Sequence, residues 1–176
     1  MKIKKADKTE YKSVMNFYDQ VCDALMNAQY SPGWKKGIYP DPDEVYDAIE
    51  KETLYIGLEN SEIISCMIVN HEYNVAYKEI KWDDDESDSD VYIIHMLAVS
   101  PRLQGRGICG KMIDYVKDLA RRHHKKALRL DILAGHAPAY KAYTKCGFVY
   151  RGSMEMYYED TGNACYEIYE YRMKEE

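Results

Sequence analysis

The sequence is short of positive charge and has no long apolar run. Its 24 lysines and arginines are outnumbered by 30 aspartates and glutamates, which gives a formal net charge of −6. A nucleic-acid binder needs a basic surface, so this balance argues against one, including a toxin that acts on transfer RNA. It is compatible with a cationic substrate such as an amine. No apolar stretch approaches the roughly 20 residues that span a bilayer, and the polar start of the chain is not typical of a signal peptide. We therefore expect no nucleic-acid and no membrane partner.

Cysteines are also few, with five in the chain and no CxxC pair. Their wide spacing and odd number are not those of a disulfide framework. Reduced thiols are typical of the cytosol, so the cysteines predict a cytoplasmic protein.

Phenylalanine is nearly absent, with two residues against 18 tyrosines. Tyrosine combines an apolar ring with a polar tip, which suits half-buried surfaces and wet clefts. We predict that most of the tyrosines lie on strands and at the rims of such surfaces.

The length of 176 residues favours a single domain over residues 1–176, because no repeat or linker divides the chain. Apolar residues recurring at three- and four-residue steps predict helices, and runs of β-forming residues predict strands. The predicted order is β, α, α, β, β, β, α, β, α, β, β, which indicates an α/β (α+β) fold with a mixed, largely antiparallel sheet. The predicted helices cover residues 7–29, 43–52, 107–123 and the segment after Pro138, and the predicted strands cover 1–5, 53–59, 62–70, 91–99, 127–133, 148–157 and 164–173.

Six acidic residues occupy the eight positions from Asp83 to Asp90. Such a run is usually a solvated loop, and we predict one here. A cation site is the less favoured interpretation, because the spacing lacks the loop glycine and the terminal glutamate of a calcium hand.

A glycine-rich turn joins the predicted strand at 91–99 to the next helix. Gly105, Gly107 and Gly110 let backbone N–H groups approach a ligand, and a helix N-terminus favours an anion, so the turn predicts a phosphate-bearing ligand. A P-loop would need serine or threonine where Met112 stands. A dinucleotide fingerprint would follow the first strand rather than the fourth, and Asp131 is too distant to bind its ribose. Both of these phosphate motifs are therefore weak matches.

A third motif matches better. Residues 104–109, QGRGIC, resemble the [QR]-x-x-G-x-[GA] signature of the GNAT superfamily of N-acetyltransferases, with Cys109 at the last position. Residues 136–148, HAPAYKAYTKCGF, resemble the downstream N-x-x-A-x-x-x-Y-x-x-x-G-F signature, with His136 in place of asparagine. The resemblance implies the GNAT fold, with about seven strands and four helices, and transfer of an acyl group from acetyl-CoA to an amine by direct attack in a ternary complex.

The resemblance also implies how acetyl-CoA is bound. Main-chain groups of the fourth strand would contact the pantetheine arm, and the turn with the start of the next helix would hold the pyrophosphate. Residues of the downstream signature would complete the site. The full set is Leu97, Ala98, Val99, Gln104, Gly105, Arg106, Gly107, Ile108, Cys109, Gly110, Lys111, His136, Ala139 and Tyr143.

Two residues are candidates for catalysis under this resemblance. Tyr143 falls on the family tyrosine whose hydroxyl protonates the departing thiolate; otherwise it is a helix residue at the core rim. His95 matches a strand histidine that acts as a base in one branch of the family, while Ile93 stands where other members have a glutamate. A buried, hydrogen-bonded histidine is the alternative interpretation of His95.

Other chemistries are less favoured by the sequence. A nucleophilic role for Cys109 does not fit a position that belongs to phosphate binding. His123 and His124 are adjacent on a helix and face different directions, so we predict no metal. Trp34 and Tyr39 lie in the loop that covers the acceptor site in this family, where they would either bind a cationic or aromatic amine or fill the core.

The sequence leaves three functions open. We expect an acetyltransferase acting on a primary amine of a small molecule. The alternatives are a protein N-terminal or lysine acetyltransferase and a CoA-binding regulatory module without turnover. A homodimer formed by pairing of the tyrosine-rich C-terminal strands is a further expectation.

Overall fold

The protein's structure is a computed structural model that describes residues 1–82 and 86–174. Its strands form one seven-stranded sheet in the order β1-β2-β3-β4-β5-β7-β6. Every neighbouring pair is antiparallel except β4 and β5, which are parallel. The prediction of a mixed, mostly antiparallel sheet with four helices is confirmed. The strands are β1 Lys2–Lys5, β2 Leu54–Glu59, β3 Glu62–Asn70, β4 Val91–Val99, β5 Ala127–Leu133, β6 Val149–Tyr158 and β7 Gly162–Arg172, and the helices are α1 Tyr11–Leu25, α2 Pro42–Glu50, α3 Ile108–Arg122 and α4 Ala137–Lys145.

The helices cover both faces of the sheet. The apolar sides of α1 and α2 pack on β2, β3 and the end of β4, where Val14, Val45 and Ile56 belong to one buried cluster. Helices α3 and α4 pack on the opposite face, where Met112 and Val116 join Leu128 and Leu130 of β5 in one cluster. Among the described residues, no helix is both long enough and apolar enough to cross a membrane.

Helix boundaries follow the capping residues more closely than the apolar spacing does. The predicted helix over 7–29 begins later, because Asp7 and Glu10 form a capping box around a single 3-10 turn before α1 starts at Tyr11. Helix α2 begins at Pro42, where Asp41 accepts hydrogen bonds from the backbone N–H groups of Asp43 and Glu44.

Strands β4 and β5 separate soon after they begin. They pair only from Val91 to Ile93, opposite Ala127 to Arg129, although β5 continues to Leu133. Beyond Ile93, β4 pairs only with β3, and the register shifts near Met96, whose φ is +51°. The buried Tyr18 hydroxyl donates a hydrogen bond to the Met96 carbonyl at 3.0 Å. The two strands therefore enclose a wedge that opens toward their C-terminal ends.

The structure refines one sequence-based expectation and corrects another. Seven of the 18 tyrosines belong to the buried core, and four of these lie on strands; the seven are Tyr18, Tyr55, Tyr77, Tyr92, Tyr143, Tyr166 and Tyr169. Within the acidic run, Glu86 is not solvated, because its buried side chain forms ion pairs with Arg129 and Arg172. Asp83 to Asp85, also assigned to that loop, lie outside the described residues.

Candidate active site

The wedge between β4 and β5 holds a cleft of about 220 Å³. Its walls come from both strands, α1, α4, the loop between α1 and α2 (residues 26–41, the lid loop), and the β6–β7 hairpin. No lysine or arginine lines it among the described residues. The lining residues are Val21, Leu25, Pro32, Trp34, Tyr39, Ile94, His95, Met96, Leu97, Ala98, Val99, Gln104, Asp131, Ile132, Leu133, His136, Ala139, Tyr143, Tyr158, Asp160 and Tyr166.

The cleft connects the two faces of the sheet. Side chains alternate along a strand, so neighbours on β5 point to opposite faces. Ile132 packs into the cluster under α3 and α4, whereas Leu133 packs with Tyr77 on the other face. Asp131 lies on that other face too, because its carboxylate contacts Tyr77. One side of the wedge is therefore the α3/α4 side, and the other side carries His95 and Asp131.

The turn before α3 presents backbone groups outward. Gly105 and Gly107 have φ values of +78° and +74°, in the left-handed region that favours glycine. Gly107 immediately precedes α3, and no side chain caps its first N–H groups. A Cβ atom at Gly105 or Gly107 would meet nothing within 4 Å. Free N–H groups and the positive end of the helix dipole form a cradle for an anion.

Cys109 does not have the properties of a nucleophile. It lies in the first turn of α3 and packs against the core cluster around Met112. Burial raises the pKa of its thiol to about 12, so the thiolate is not populated near neutral pH.

The proton on the imidazole of His95 can be assigned from its neighbours. The Nε2 atom lies 3.0 Å from Asn70 Oδ1 and 2.9 Å from the Glu72 carbonyl oxygen. Asn70 Oδ1 also accepts the backbone N–H of Glu72, which fixes the orientation of the amide. Both partners are acceptors, so Nε2 carries the hydrogen and Nδ1 holds the lone pair. Burial lowers the pKa of His95 below its usual value, which favours the neutral, basic ring.

Asp131 is a central group of the cleft. The Tyr77 hydroxyl donates to Asp131 Oδ2 at 2.8 Å, and the Tyr158 hydroxyl donates to the same oxygen at 3.2 Å. Burial raises the pKa of Asp131, while the Tyr77 hydrogen bond and the nearby His95 lower it. Asp131 in turn contributes to the raised pKa of Tyr143. This carboxyl group is therefore near enough to influence the proton affinity of both residues that the sequence proposed for proton transfer.

Tyr143 lies on α4 with its ring against Phe148, at a centroid distance of 5.9 Å. The side chain is buried, and its surface belongs to the wall of the cleft. Burial raises the pKa of the hydroxyl well above its usual value of 10, with smaller contributions from Cys109 and Cys146. The hydroxyl therefore keeps its proton at neutral pH.

His136 begins α4. Its Nδ1 atom accepts the backbone N–H of Ala139 at 3.2 Å, which makes the imidazole the N-terminal cap of the helix. In the neutral ring the hydrogen is then on Nε2, so one donor remains. Burial lowers the pKa of His136 and favours that neutral form.

The lid loop packs across the mouth of the cleft. Trp34 is in edge contact with Tyr18 and Tyr39, at 6.1 and 5.8 Å between ring centroids. At Gly33, φ is +88° and a Cβ atom would overlap the Thr161 side chain of the β6–β7 turn. Trp34 and Tyr39 thus both line the cleft and pack on the core, and binding of an amine by them stays a prediction.

The predicted site residues fall into two groups. Those that line the cleft are Trp34, Tyr39, His95, Leu97, Ala98, Val99, Gln104, His136, Ala139 and Tyr143. Those that form the adjoining turn and the first residues of α3 are Gly105, Arg106, Gly107, Ile108, Cys109, Gly110 and Lys111. No group of histidine, cysteine, aspartate or glutamate side chains suited to a metal ion occurs in the described part of the chain.

Sequence reasoning missed the polar residues of the far wall, namely Asp131, Tyr158, Asp160 and Tyr166. Asp131 carried one signal, because it is the only acid in the otherwise apolar end of the strand ALRLDIL. The contributions of Tyr158 and Asp160 depend on how the C-terminal hairpin folds back, which no local pattern indicates.

Comparison with known proteins gives concordant matches. The family model described as the acetyltransferase (GNAT) family matches residues 20–148. An uncharacterised N-acetyltransferase of Bacillus subtilis, YesJ, is 22% identical over 113 residues, which are 64% of this chain and 62% of that protein. The chain thus spans less than two thirds of the length of the curated relative that it matches.

Solved structures match over nearly the whole chain. A GNAT-family acetyltransferase from Streptococcus agalactiae has a TM-score of 0.79 at 21% identity, covering 99% of this chain and 96% of the other. The protein yncA of Salmonella typhimurium, solved with its cofactor acetyl-CoA, has a TM-score of 0.71 at 17% identity, covering 100% of this chain and 95% of the other. At these identities the likeness establishes the fold.

Proposed function

The chain belongs to the acetyltransferase (GNAT) family, and from that membership we propose that it moves the acetyl group of acetyl-CoA to a primary amine of a small molecule. The transfer proceeds by direct attack of the amine in a ternary complex. The observation that carries this proposal is the cleft itself, which places a basic imidazole nitrogen and a protonated phenol around one opening between β4 and β5.

The α3/α4 side of the cleft has features suited to acetyl-CoA. The free N–H groups from Gln104 to Gly110, with the exposed charges of Arg106 and Lys111, suit the pyrophosphate. Main-chain groups of Leu97 to Val99 have no strand partner on the β5 side and are free for the pantetheine arm. His136 and the nearby Ala139 complete this side. Acetyl-CoA supplies the activated acetyl group.

Two side chains move protons in the proposed reaction. An alkylamine arrives as an ammonium ion and must lose a proton before its nitrogen can attack. The Nδ1 lone pair of His95 takes that proton, directly or through water, because Nε2 already carries its own hydrogen. The Tyr143 hydroxyl, which keeps its proton at neutral pH, donates it to the departing sulfur.

The lid loop supports a small acceptor over a protein acceptor. The contact between Gly33 and Thr161 joins this loop to the β6–β7 turn beside Trp34. An extended peptide would have to separate that contact, whereas a small amine fits beneath it. The protein N-terminal or lysine acetyltransferase is therefore the second candidate.

Three further properties belong to the same proposal. Residues 1–176 form one acetyltransferase domain, which the continuous sheet from β1 to β6 supports. The protein works in the cytoplasm, as its five free cysteines suggest. A homodimer forms through β6, the last strand of the sheet.

The test is turnover with acetyl-CoA and a panel of amines, measured as release of free CoA thiol. We expect acetylated product with at least one small alkylamine or arylalkylamine and slower reaction with peptides. Binding of acetyl-CoA without turnover of any amine would contradict the proposal and favour a regulatory CoA-binding module. Faster reaction with a peptide N-terminus would favour the second candidate.

A further inference from the structure

We infer that the acceptor carries two positive charges, and that Asp160 binds the charge distant from the reacting nitrogen. This inference deepens the proposed function and rests on it. The acceptor would then be a small diamine, held at both ends of the cleft.

The cleft is lined by two carboxyl groups, Asp131 and Asp160, and its described lining contains no lysine or arginine. Asp160 is only 3% exposed. The hydroxyl groups of Tyr77 and Tyr158 donate to Asp131 without bringing charge, so burial of the two carboxyl groups favours a ligand that carries positive charge.

The two carboxyl groups lie on different elements of the cleft wall. Asp131 belongs to β5, on the side of the wedge that also carries His95, and its carboxylate accepts a hydrogen bond from Tyr77. Asp160 lies at the lid end, in the β6–β7 turn beside Thr161, the residue that Gly33 of the lid loop approaches closely. Between the two lie Tyr158, which contacts Asp131, and Tyr166, whose ring is 4.9 Å from that of Tyr158. Two carboxyl groups separated in this way suit two cations on one chain.

Aromatic side chains form the surface between the two carboxyl groups. Trp34, Tyr39, Tyr158 and Tyr166 line the cleft there, and Tyr39 is 6.4 Å from Tyr158 between ring centroids. Aromatic faces bind both alkyl chains and ammonium groups. The Tyr166 hydroxyl is held by Thr161 Oγ1 at 2.7 Å, which fixes this wall beside Asp160.

Asp160 also has a role in its own turn. Burial raises its pKa, while the backbone N–H groups of Asp160 and Thr161 and the exposed Lys35 lower it by less. The net direction shows that the turn does not fully compensate for burial of the carboxylate. An ammonium group in the cleft would supply the remaining compensation.

The experiment measures binding to the complex of the protein with CoA, which carries no acetyl group and so excludes turnover. Titration calorimetry compares diaminobutane and diaminopentane with butylamine and pentylamine, which have the same chains and one charge fewer. A charge-assisted contact at the distal end predicts Kd values at least about tenfold lower for the diamines. Equal affinities, or tighter binding of the monoamines, would overturn the inference.

Variants locate the second charge. Asp160→Asn should bring the ratio of diamine to monoamine affinity close to one, whereas Glu159→Gln, which removes the same charge from the neighbouring exposed residue, should retain it. A ratio retained in Asp160→Asn would place the second cation elsewhere. If Asp160→Asn fails to fold, the comparison of diamines with monoamines on the unaltered protein still tests whether the cleft binds a second positive charge.

The same ligands separate this inference from the proposed function. If monoamines and diamines are acetylated with equal kcat/KM, the proposal that the acceptor carries a second charge is refuted, and the proposed acetylation of amines is supported. Tight diamine binding without turnover would support the distal site and refute the transferase proposal.

Discussion

Replacing Asn70 with aspartate tests the assignment of His95 as the base. The Asn70→Asp change keeps the shape of the side chain and places a negative charge at the oxygen that lies 3.0 Å from His95 Nε2. A carboxylate there stabilises the doubly protonated imidazolium, so the pKa of His95 must rise. In the native protein, burial lowers that pKa below its usual value of 6.5.

The distance sets the size of the effect. Two unit charges about 4 Å apart interact by about 4 kcal/mol at an effective dielectric constant of about 20. One pKa unit corresponds to about 1.4 kcal/mol, which gives an upper limit of about three units. Since His95 is only half-buried, solvent screens part of this interaction, and we expect a rise of about one to two units.

Titration by NMR of the His95 ring measures the shift directly, with His95→Gln identifying its signals. The acidic limb of kcat/KM should move to higher pH by the same amount, after correction for ionisation of the amine. Asn60→Asp, the same substitution in an exposed turn, should leave both unchanged. If the pKa of His95 is unchanged in folded Asn70→Asp, the contact between His95 and Asn70 is refuted. If that pKa rises and the acidic limb of kcat/KM does not move with it, the role of His95 as the base is refuted.

Four further substitutions test other parts of the structure. Tyr143→Phe retains the ring packing on Phe148 and should lower kcat about 100-fold with little change in KM for acetyl-CoA; an unchanged kcat would exclude the acid role. The new methyl group in Gly107→Ala meets no neighbouring atom, but alanine is strained at a φ of +74°, so the free energy of unfolding should fall by about 1 kcal/mol. The KM for acetyl-CoA should rise. The control Gly110→Ala lies within α3 and should not destabilise. His136→Ala should lose about 1 kcal/mol of stability with the helix cap, and His136→Asn should retain it; equal stabilities would refute the cap. Arg129→Met leaves the buried Glu170 and Glu86 short of a cation and should cost about 3 kcal/mol by urea denaturation; a loss below about 1 kcal/mol would show that the other arginines suffice.

The glycine-rich turn, which we propose as part of the acetyl-CoA site, could be predicted because it is local in sequence. The turn from Gln104 to Gly107 and the start of α3 are consecutive, and left-handed backbone there needs glycine. The same locality explains why the strand β5 and most helix boundaries were predicted to within a few residues. Where the prediction failed, as at the start of α1, a capping box had replaced the first helical turn.

The residues that we propose for the acceptor side could not be predicted in this way. Asp131 meets Tyr77, which is 54 positions away in sequence, and Tyr158, which is 27 away. The tautomer of His95 depends on Asn70, 25 positions away. These residues meet only when β3, β4, β5 and the C-terminal hairpin have assembled into one sheet.

The sequence by itself determined the family, the element order and the glycine-rich turn before α3, since each depends on spacing along the chain. Only the tertiary structure decided where the tyrosines lie, which imidazole nitrogen is basic, and that two carboxyl groups share a cleft without a lining lysine or arginine among the described residues. The physical reason is that burial and hydrogen-bond partners, which set proton affinity and charge preference, arise from contacts between distant segments.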